Sequence, residues 1–513
     1  MQTPTTALAP ASEGRTFLGH PVGLFVLFFA EMWERFSYYG MRALLVLYLT
    51  KHFLFTEDKA YAIDGAYTSL VYITPVIGGW LADRFLGQRK AVLYGAVLLT
   101  FGHVLMGFEG EGEAARQAES IYRSLFYLAL AFIIVGSGFL KANISSIVGS
   151  LYARDDRRRD GAFTIFYMGI NLGAALGALI AGFLGETYGW RYGFGAAGLG
   201  MILGLIVFVL GKPLLMGRGE SNYPDRLRRR DFGISNEWLI YLGGILGTVA
   251  VWQLIQYQQV VGYLLGVAGL LLVSYIVFVA SKLEKVDRDR IIVAVFLMAV
   301  SIMFWALFEQ AGSSMNLYTD ESVNREFFGY VVPASTFQSI NAIYIILLAP
   351  IFAWLWTFLA KRGLEPSTPA KFGLALIQLA AGFLVLVAGA GSGEGGMTPV
   401  IFIFLIYFLH TTGELCLSPV GLSAMTKLAL PQMVGLIMGT WFFASALGNY
   451  SAGLIAQATG GGEDIAVGRV ISVYSTVGWA AFGLGVLVLL ISPIFKRLMH
   501  LDRLSEESAS PVH

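Results

Sequence analysis

Apolar runs long enough to cross a bilayer follow one another along almost the whole chain, each ended by a short polar or basic break. On this pattern helices are predicted near 21–50, 60–83, 90–108, 121–150, 162–185, 192–211, 237–257, 261–281, 291–318, 333–360, 371–391, 397–428, 433–459 and 469–497. A hydrocarbon core needs about 20 residues of helix, and these runs meet that length. The expectation is an all-α polytopic membrane protein with fourteen transmembrane helices, an even number that places both termini on one face.

Basic residues near helix ends stay cytoplasmic. With the N-terminus inside, Arg84, Arg89, Lys90, the cluster from Arg154 to Arg159, Lys212 to Arg230, Lys282 to Arg290, Lys361 to Lys371 and Lys496 to Arg503 all fall inside. That leaves 25 of the 35 basic residues inside, 7 outside and 3 within helices, so the expected topology is N-in, C-in. Asp83, Arg84 and Arg89 form a cytoplasmic loop motif, read as a hinge whose charges cap helix ends. The clusters from Arg154 and from Arg226 read as topology determinants at the anionic inner leaflet, where membrane lipids are weak partners.

Between spans six and seven lies KPLLMGRGESNYPDRLRRRD, followed by two short apolar helices and SKLEKVDRDR. Setting this insert aside divides the chain into a cytoplasmic tail (1–20), an N-terminal six-helix bundle (21–211), a basic linker with two extra helices (212–290), a C-terminal six-helix bundle (291–497) and a second tail (498–513). One offset of 275 residues superposes Glu34 on Glu309, Gly138 on Gly413 and Gly173 on Gly448. Two related halves around a midplane site are the architecture of alternating-access carriers.

Composition narrows the class. The 513 residues are 56% hydrophobic and 13% charged, against roughly 25% charged in soluble domains, which excludes a water-soluble globular fold. The 61 glycines fit close helix packing in lipid. A net charge of +1 gives no reason to expect nucleic acid. The lone Cys416 excludes an internal disulfide, and six scattered histidines show no metal-ligand spacing, so no metal and no cofactor is expected. With no nucleophile, base and metal constellation, an enzyme is the least favoured class. The Ala/Thr/Pro-rich segment before His20 reads as a tail and not as a signal peptide.

Seven ionisable residues sit well within predicted spans: Glu31, Glu34, Arg35, Arg42, Lys141, Glu309 and Glu414. Each costs ~2.5 to 3.5 kcal/mol at the bilayer centre unless it faces a cavity or a partner. In EMWERFSYYGMR, at about 100° per residue, Glu31, Glu34, Arg35, Tyr38 and Arg42 share one stripe of the first helix. Three cations against four carboxylates leave the set at −1 when fully ionised, and one bound proton makes it neutral. That is the minimal chemistry of a proton-coupled carrier, with protons as the coupling ion. A zwitterionic ligand suits both signs, with Lys141 and Arg35 facing its carboxylate and Glu309 or Glu414 its ammonium. Structural ion pairs are the bland alternative for any single residue. A carrier of another zwitterionic or anionic solute such as nitrate, or a transporter-derived nutrient sensor, are the competing functions; a sensor is expected to carry a signalling domain, which LMHLDRLSEESASPVH does not resemble.

The Glu-x-x-Glu-Arg stretch of EMWERFSYYGMR resembles the first-helix signature of the proton-coupled oligopeptide transporters. GGWLADRFLGQRK resembles the major facilitator loop signature, and GSGFLKANISSIVG, GAFTIFYMGINLGAALG, FWALFEQ, FQSINAIY, GELCLSP and GTWFFASALGN are similar to the family's other segments. The extra helix pair is similar to that of bacterial members, so the resemblance implies a monomeric, multi-pass symporter of di- and tripeptides in a bacterial inner membrane, on a major facilitator fold. It assigns Glu31, Glu34, Arg35, Lys141, Glu309 and Glu414 to proton coupling. It makes Arg42 with Glu309, and Lys141 with Glu414, the bridges that open and close two gates. Peptide binding would fall to Arg35, Arg42, Lys141, Asn171, Asn341, Glu309, Glu414 and Ser418, with Tyr38, Tyr39, Tyr72, Trp305, Trp441 and Phe442 lining side-chain pockets.

One departure is informative. Where animal members carry a histidine seven residues before the tyrosine that matches Tyr72, this chain has Gly65, so the proton load falls on carboxylates. Asp64 beside it reads as a solvated residue near the outer end. His410, four residues before Glu414, reads as a packed neutral histidine, His103 has no assigned role, and Cys416 is a small apolar residue. Asn171 and Asn341 also suit interhelical glue.

Overall fold

The computed structural model describes residues 15–500 except 111, 118–119, 154–155, 157, 232, 431–432 and 461–465. Arg154, Arg157, Arg503 and most of both predicted tails therefore lie outside the described residues. Among the described residues fourteen helices have 19 residues or more. The first six are α1 (Val22–Lys51), α2 (Glu57–Leu81), α3 (Gln88–Met106), α4 (Ile121–Ser150), α5 (Arg159–Tyr188) and α6 (Trp190–Leu210). Two follow between the bundles, α7 (Asn236–Leu254) and α8 (Gln258–Ala280). The last six are α9 (Lys285–Phe308), α10 (Ser339–Lys361), α11 (Thr368–Gly389), α12 (Ile401–Leu428), α13 (Val434–Thr459) and α14 (Ala466–Leu498). Eleven helical segments are long and apolar enough to cross a membrane. The long helices that fall short are α1, α2 and α13, and the first of these carries the charged stripe.

Glycine spacing explains how α1 and α5 meet. Gly169, Gly173 and Gly177, four residues apart on α5, lie against the carbonyls of Phe28, Met32 and Phe36 on α1, and a Cβ at Gly173 would stand 2.1 Å from the Met32 oxygen. Only a hydrogen in place of a side chain lets the backbones run this close, the small-residue packing of helices in lipid. In the second bundle Gly448 of α13 meets Ile302 and Trp305 of α9 in the equivalent way. The 275-residue repeat is therefore a repeat of packing as well as of letters.

Each bundle has its own apolar core, one centred on α1 to α6 and the other on α9 to α14. The bundles meet through two equivalent pairs, α2 with α13 and α5 with α10. At the first, Gly65 and Gly453 approach so closely that a Cβ on Gly65 would stand 2.9 Å from the Gly453 Cα. At the second, Ala174 and Ala175 pack on Ala342. We call the end of the molecule where α1 starts and α14 stops basal, and the opposite end distal.

Helices α7 and α8 lie on the flank, α7 against α4 and α8 against α2 and α13, with most of their apolar surface exposed. The basic linker that leads to α7 grips the turn between α2 and α3. Arg89 pairs with Glu220 at 2.5 Å, Ser221 donates to the Phe85 carbonyl, and Lys90 pairs with Glu237 at 2.7 Å. Asp83 accepts from Gln88 at 2.9 Å, and Arg84 lies over the Trp80 ring. The loop motif is thus held by the linker.

One predicted span is not a single helix. The run expected at 291–318 leaves α-helical geometry after Phe308, tightens into a 3-10 turn at Glu309–Gly312, passes through Ser313 at φ −118°, ψ −104°, and resumes at Ser314–Ser322. Gly312 and the serines after it are poor helix formers. Gly312 also leaves room for Arg42, since a Cβ there would stand 3.0 Å from the guanidinium.

Candidate functional site

The charged stripe of α1 faces inward, and every member is buried: Glu34 is fully inaccessible, Glu31, Arg35 and Tyr38 nearly so, and Arg42 is 7% exposed. Arg35 Nε lies 3.1 Å from Glu31 Oε1 and pairs with Glu34 as well. Its guanidinium sits over the Tyr38 ring at 5.5 Å. One arginine thus serves two carboxylates in a place where an unpaired charge is costly.

About two turns beyond Arg35 toward the distal end, Arg42 crosses to the other bundle and pairs with Glu309. Both side chains are below 10% exposed. The break in the ninth helix makes this possible, because the 3-10 turn presents Glu309 while Gly312 leaves room for the guanidinium. Asn316 Nδ2 and Gln338 Nε2 of the C-terminal bundle both reach the Ala43 carbonyl, at 3.0 and 3.3 Å. Lys51 and Asp320 add a bridge at the distal surface, at 2.5 Å.

The expected basal bridge is not formed. Lys141 lies over the Tyr72 ring with its Nζ 3.8 Å from the centroid, in the field of Arg35, Glu34 and Glu31. Glu414 Oε2 instead accepts from Asn341 Nδ2 at 3.0 Å, and the same amide donates to Thr411. The pairing between halves lies toward the distal end, so Lys141 and Glu414 stay on separate walls.

The remaining predicted residues divide. Tyr39 borders the contact between α5 and α10, stands edge-on to Tyr38 and is half-buried, like Tyr72, Trp305, Phe442, Ser418 and Asn341. Asn171 is buried and donates to the Tyr167 carbonyl one turn back on its own helix. Trp441 belongs to the C-terminal core, packed over Gly421. The indole fills the space that a glycine leaves, which accounts for its 6% exposure. Tyr38 also stacks on Tyr67, a neighbour the sequence did not single out.

Asp64 is a correction. It is 4% exposed and lies in the field of Arg42 and Glu309. The near-contact of Gly65 with Gly453 pulls the first half of α2 against the other bundle and covers its neighbour. With Asp64 the set of ionisable residues within the spans holds five carboxylates against three cations, a net −2 when fully ionised. His410 is packed between Phe308 and Phe383, and His103 is buried. No group of three or more metal-ligating side chains occurs among the described residues.

Comparison with known proteins decides the family. The sequence matches the profile of the POT family over residues 89–471. The chain belongs to the POT family. It is 38% identical to the peptide transporter YePEPT of Yersinia enterocolitica subsp. palearctica, over 89% of this chain and 90% of that protein. It is 33% identical to a di-/tripeptide transporter of Lactococcus lactis subsp. cremoris, over 94% and 98% of the two chains. Among solved structures, a peptide transporter POT in complex with alafosfalin superposes with a TM-score of 0.81 at 36% identity, covering 95% of this chain and 98% of that one. These matches establish a major facilitator transporter fold.

In this POT-family chain, three groups that hold the distal end escaped the sequence reading: Asn316, Gln338 and Gln310. Gln310 is fully buried, donates to Ala306 and Ala452, and accepts from Ser314, whose hydroxyl also meets that of Tyr474 at 2.7 Å. The signal for Gln310 was its place beside Glu309. Asn316 and Gln338 had none, because amides bonding to a backbone carbonyl leave no charge pattern.

Proposed function

We propose that the chain is a proton-coupled symporter that imports di- and tripeptides by alternating access. The observation that carries this reading is the arrangement of charge: Glu31, Glu34, Arg35 and Arg42 on one helix of the first bundle, Lys141 on another, and Glu309 and Glu414 on the second bundle, with Arg42 and Glu309 paired across. The named relatives add their substrate class, peptides, to a site that has both signs of charge to offer. A site for a sugar or for a purely anionic solute would not need this mixture.

In the mechanism that follows, Lys141 and Arg35 attract the peptide carboxylate, and Glu309, Glu414, Asn341, Asn171 and Ser418 attract the amino end and backbone. Tyr38, Tyr39, Tyr72, Trp305 and Phe442 supply aromatic walls, where dispersion accepts varied side chains because it has no direction. Protons bind the carboxylate excess, which numbers two more than the cations once Asp64 is included. Neutralising that excess lowers the cost of charge in a medium of low dielectric. The distal end faces outward and the basal end faces the cytoplasm, the N-in, C-in arrangement drawn from the basic residues. With Arg42 and Glu309 joined and Lys141 and Glu414 apart, the chain stands in its inward-facing form.

The test is uptake of di-alanine by purified protein in liposomes with an imposed inward proton gradient. Accumulation that requires the gradient, and that Glu31→Gln, Glu34→Gln and Lys141→Ala each abolish, is the expected result. Equal movement of di-alanine with no proton gradient and no membrane potential would refute coupling.

A further inference from the structure

The distal seal holds a contact that the charged stripe does not account for. Glu186, in the last turn of α5, belongs to the N-terminal bundle. Its two carboxylate oxygens accept the backbone N–H groups of Ala334, at 3.3 Å, and Ser335, at 2.8 Å. These residues open the 3-10 turn Ala334–Gln338, which runs directly into α10 of the C-terminal bundle. The first N–H groups of a helix have no partner within the helix. Here the preceding residue is Pro333, extended at φ −55°, ψ 137°, and no side chain of its own bundle caps the turn. One turn before Glu186, Gly182 lets α5 close in on the same spot, since a Cβ there would stand 2.5 Å from Ser335 Oγ. Ser335 is fully buried.

We infer that Glu186 is a gate latch, a carboxylate of one bundle that caps the first turn of α10 in the other and so favours the form in which the distal end is closed. The inference rests on the alternating-access reading above. A carboxylate at the positive end of a helix is held by charge-assisted hydrogen bonds. When the distal end opens, both partners return to water, so the net effect is a bias between two forms of about tenfold. The latch touches none of the groups proposed to bind peptide, so it acts on the balance between facings and leaves affinity in the basal-open form alone.

The experiment uses the full chain in lipid nanodiscs with spin labels on Thr187→Cys and Val331→Cys in a Cys416→Ser background, and reads the distance distribution across the distal end. Glu186→Ala is expected to shift the closed-to-open ratio about tenfold toward open, while di-alanine affinity measured on the closed form stays within about twofold of the parent. Ala334→Pro removes one N–H without touching Glu186, at a helix position where proline is tolerated and after a residue already extended. It is expected to shift the ratio in the same direction by less, and to add nothing in the Glu186→Ala background. An unchanged distribution in Glu186→Ala, or a proline effect that adds fully to it, overturns the latch. Were the parent to show one distance population with and without di-alanine, the alternating-access reading would fall and the latch with it. A parent that switches while Glu186→Ala keeps its balance removes the latch alone.

Discussion

The distal and basal charge pairs between the bundles are built from the same kinds of residue and stand in opposite conditions. At the distal end a cation and a carboxylate from opposite bundles, Arg42 and Glu309, are joined, two amides reach across to the Ala43 carbonyl, and glycines bring α2 and α13 into backbone contact. At the basal end the matching cation and carboxylate, Lys141 and Glu414, have turned to partners on their own bundles, a tyrosine ring and an asparagine amide. On the proposed alternating-access reading an interbundle ion pair reports which end is closed, and Lys141 and Glu414 show how a charge is held by a partner of its own bundle while its interbundle pair is apart.

The sharpest way to break this comparison is Arg42→Ala. It leaves Glu309 buried without its cation, a loss of about 3–5 kcal/mol for a closed distal end. Cysteine labelling from each side of the membrane should then show the distal end opening, with a smaller effect on dipeptide affinity. Labelling that matches the parent on both sides would separate Arg42 from gating.

A second prediction sharpens the basal half. A carbodiimide joins lysine to carboxylate only when the two touch, so the yield of Lys141 linked to Glu414, read by mass spectrometry, should be low in the parent and rise several-fold in Arg42→Ala. A yield that ignores Arg42 would uncouple the two ends. The smallest effect concerns Gly312→Ala. The added methyl meets the Arg42 guanidinium at 3.0 Å, and the resulting crowding, about 1–3 kcal/mol if the turn cannot give, should move the distal end toward open less than Arg42→Ala does. Labelling identical to the parent would show that the turn yields.

Much of this was legible in the letters, for physical reasons. Burying charge in lipid is expensive, so Glu31, Glu34, Arg35, Arg42, Lys141, Glu309 and Glu414 stand out against an apolar background, and their helical spacing puts four of them on one face. The apolar runs predicted the helices for the same reason. The break at Glu309–Ser313 was not legible, because one charge, one amide and three small residues do not interrupt an apolar run of this length, and the turn is fixed by tertiary contacts of Gln310 and Arg42. Asp64 was misjudged because its burial depends on the pairing of Gly65 with a glycine nearly four hundred residues away, at Gly453. For Trp441 the resemblance implies a pocket wall, whereas its surroundings put it in a core.

The account stands most directly on proton movement through the buried stripe. In liposomes that contain the protein and an internal pH dye, with no gradient imposed and the potential clamped, external di-alanine should acidify the lumen, and Glu34→Gln should abolish the acidification. Di-alanine entering such liposomes with no change in internal pH would contradict it.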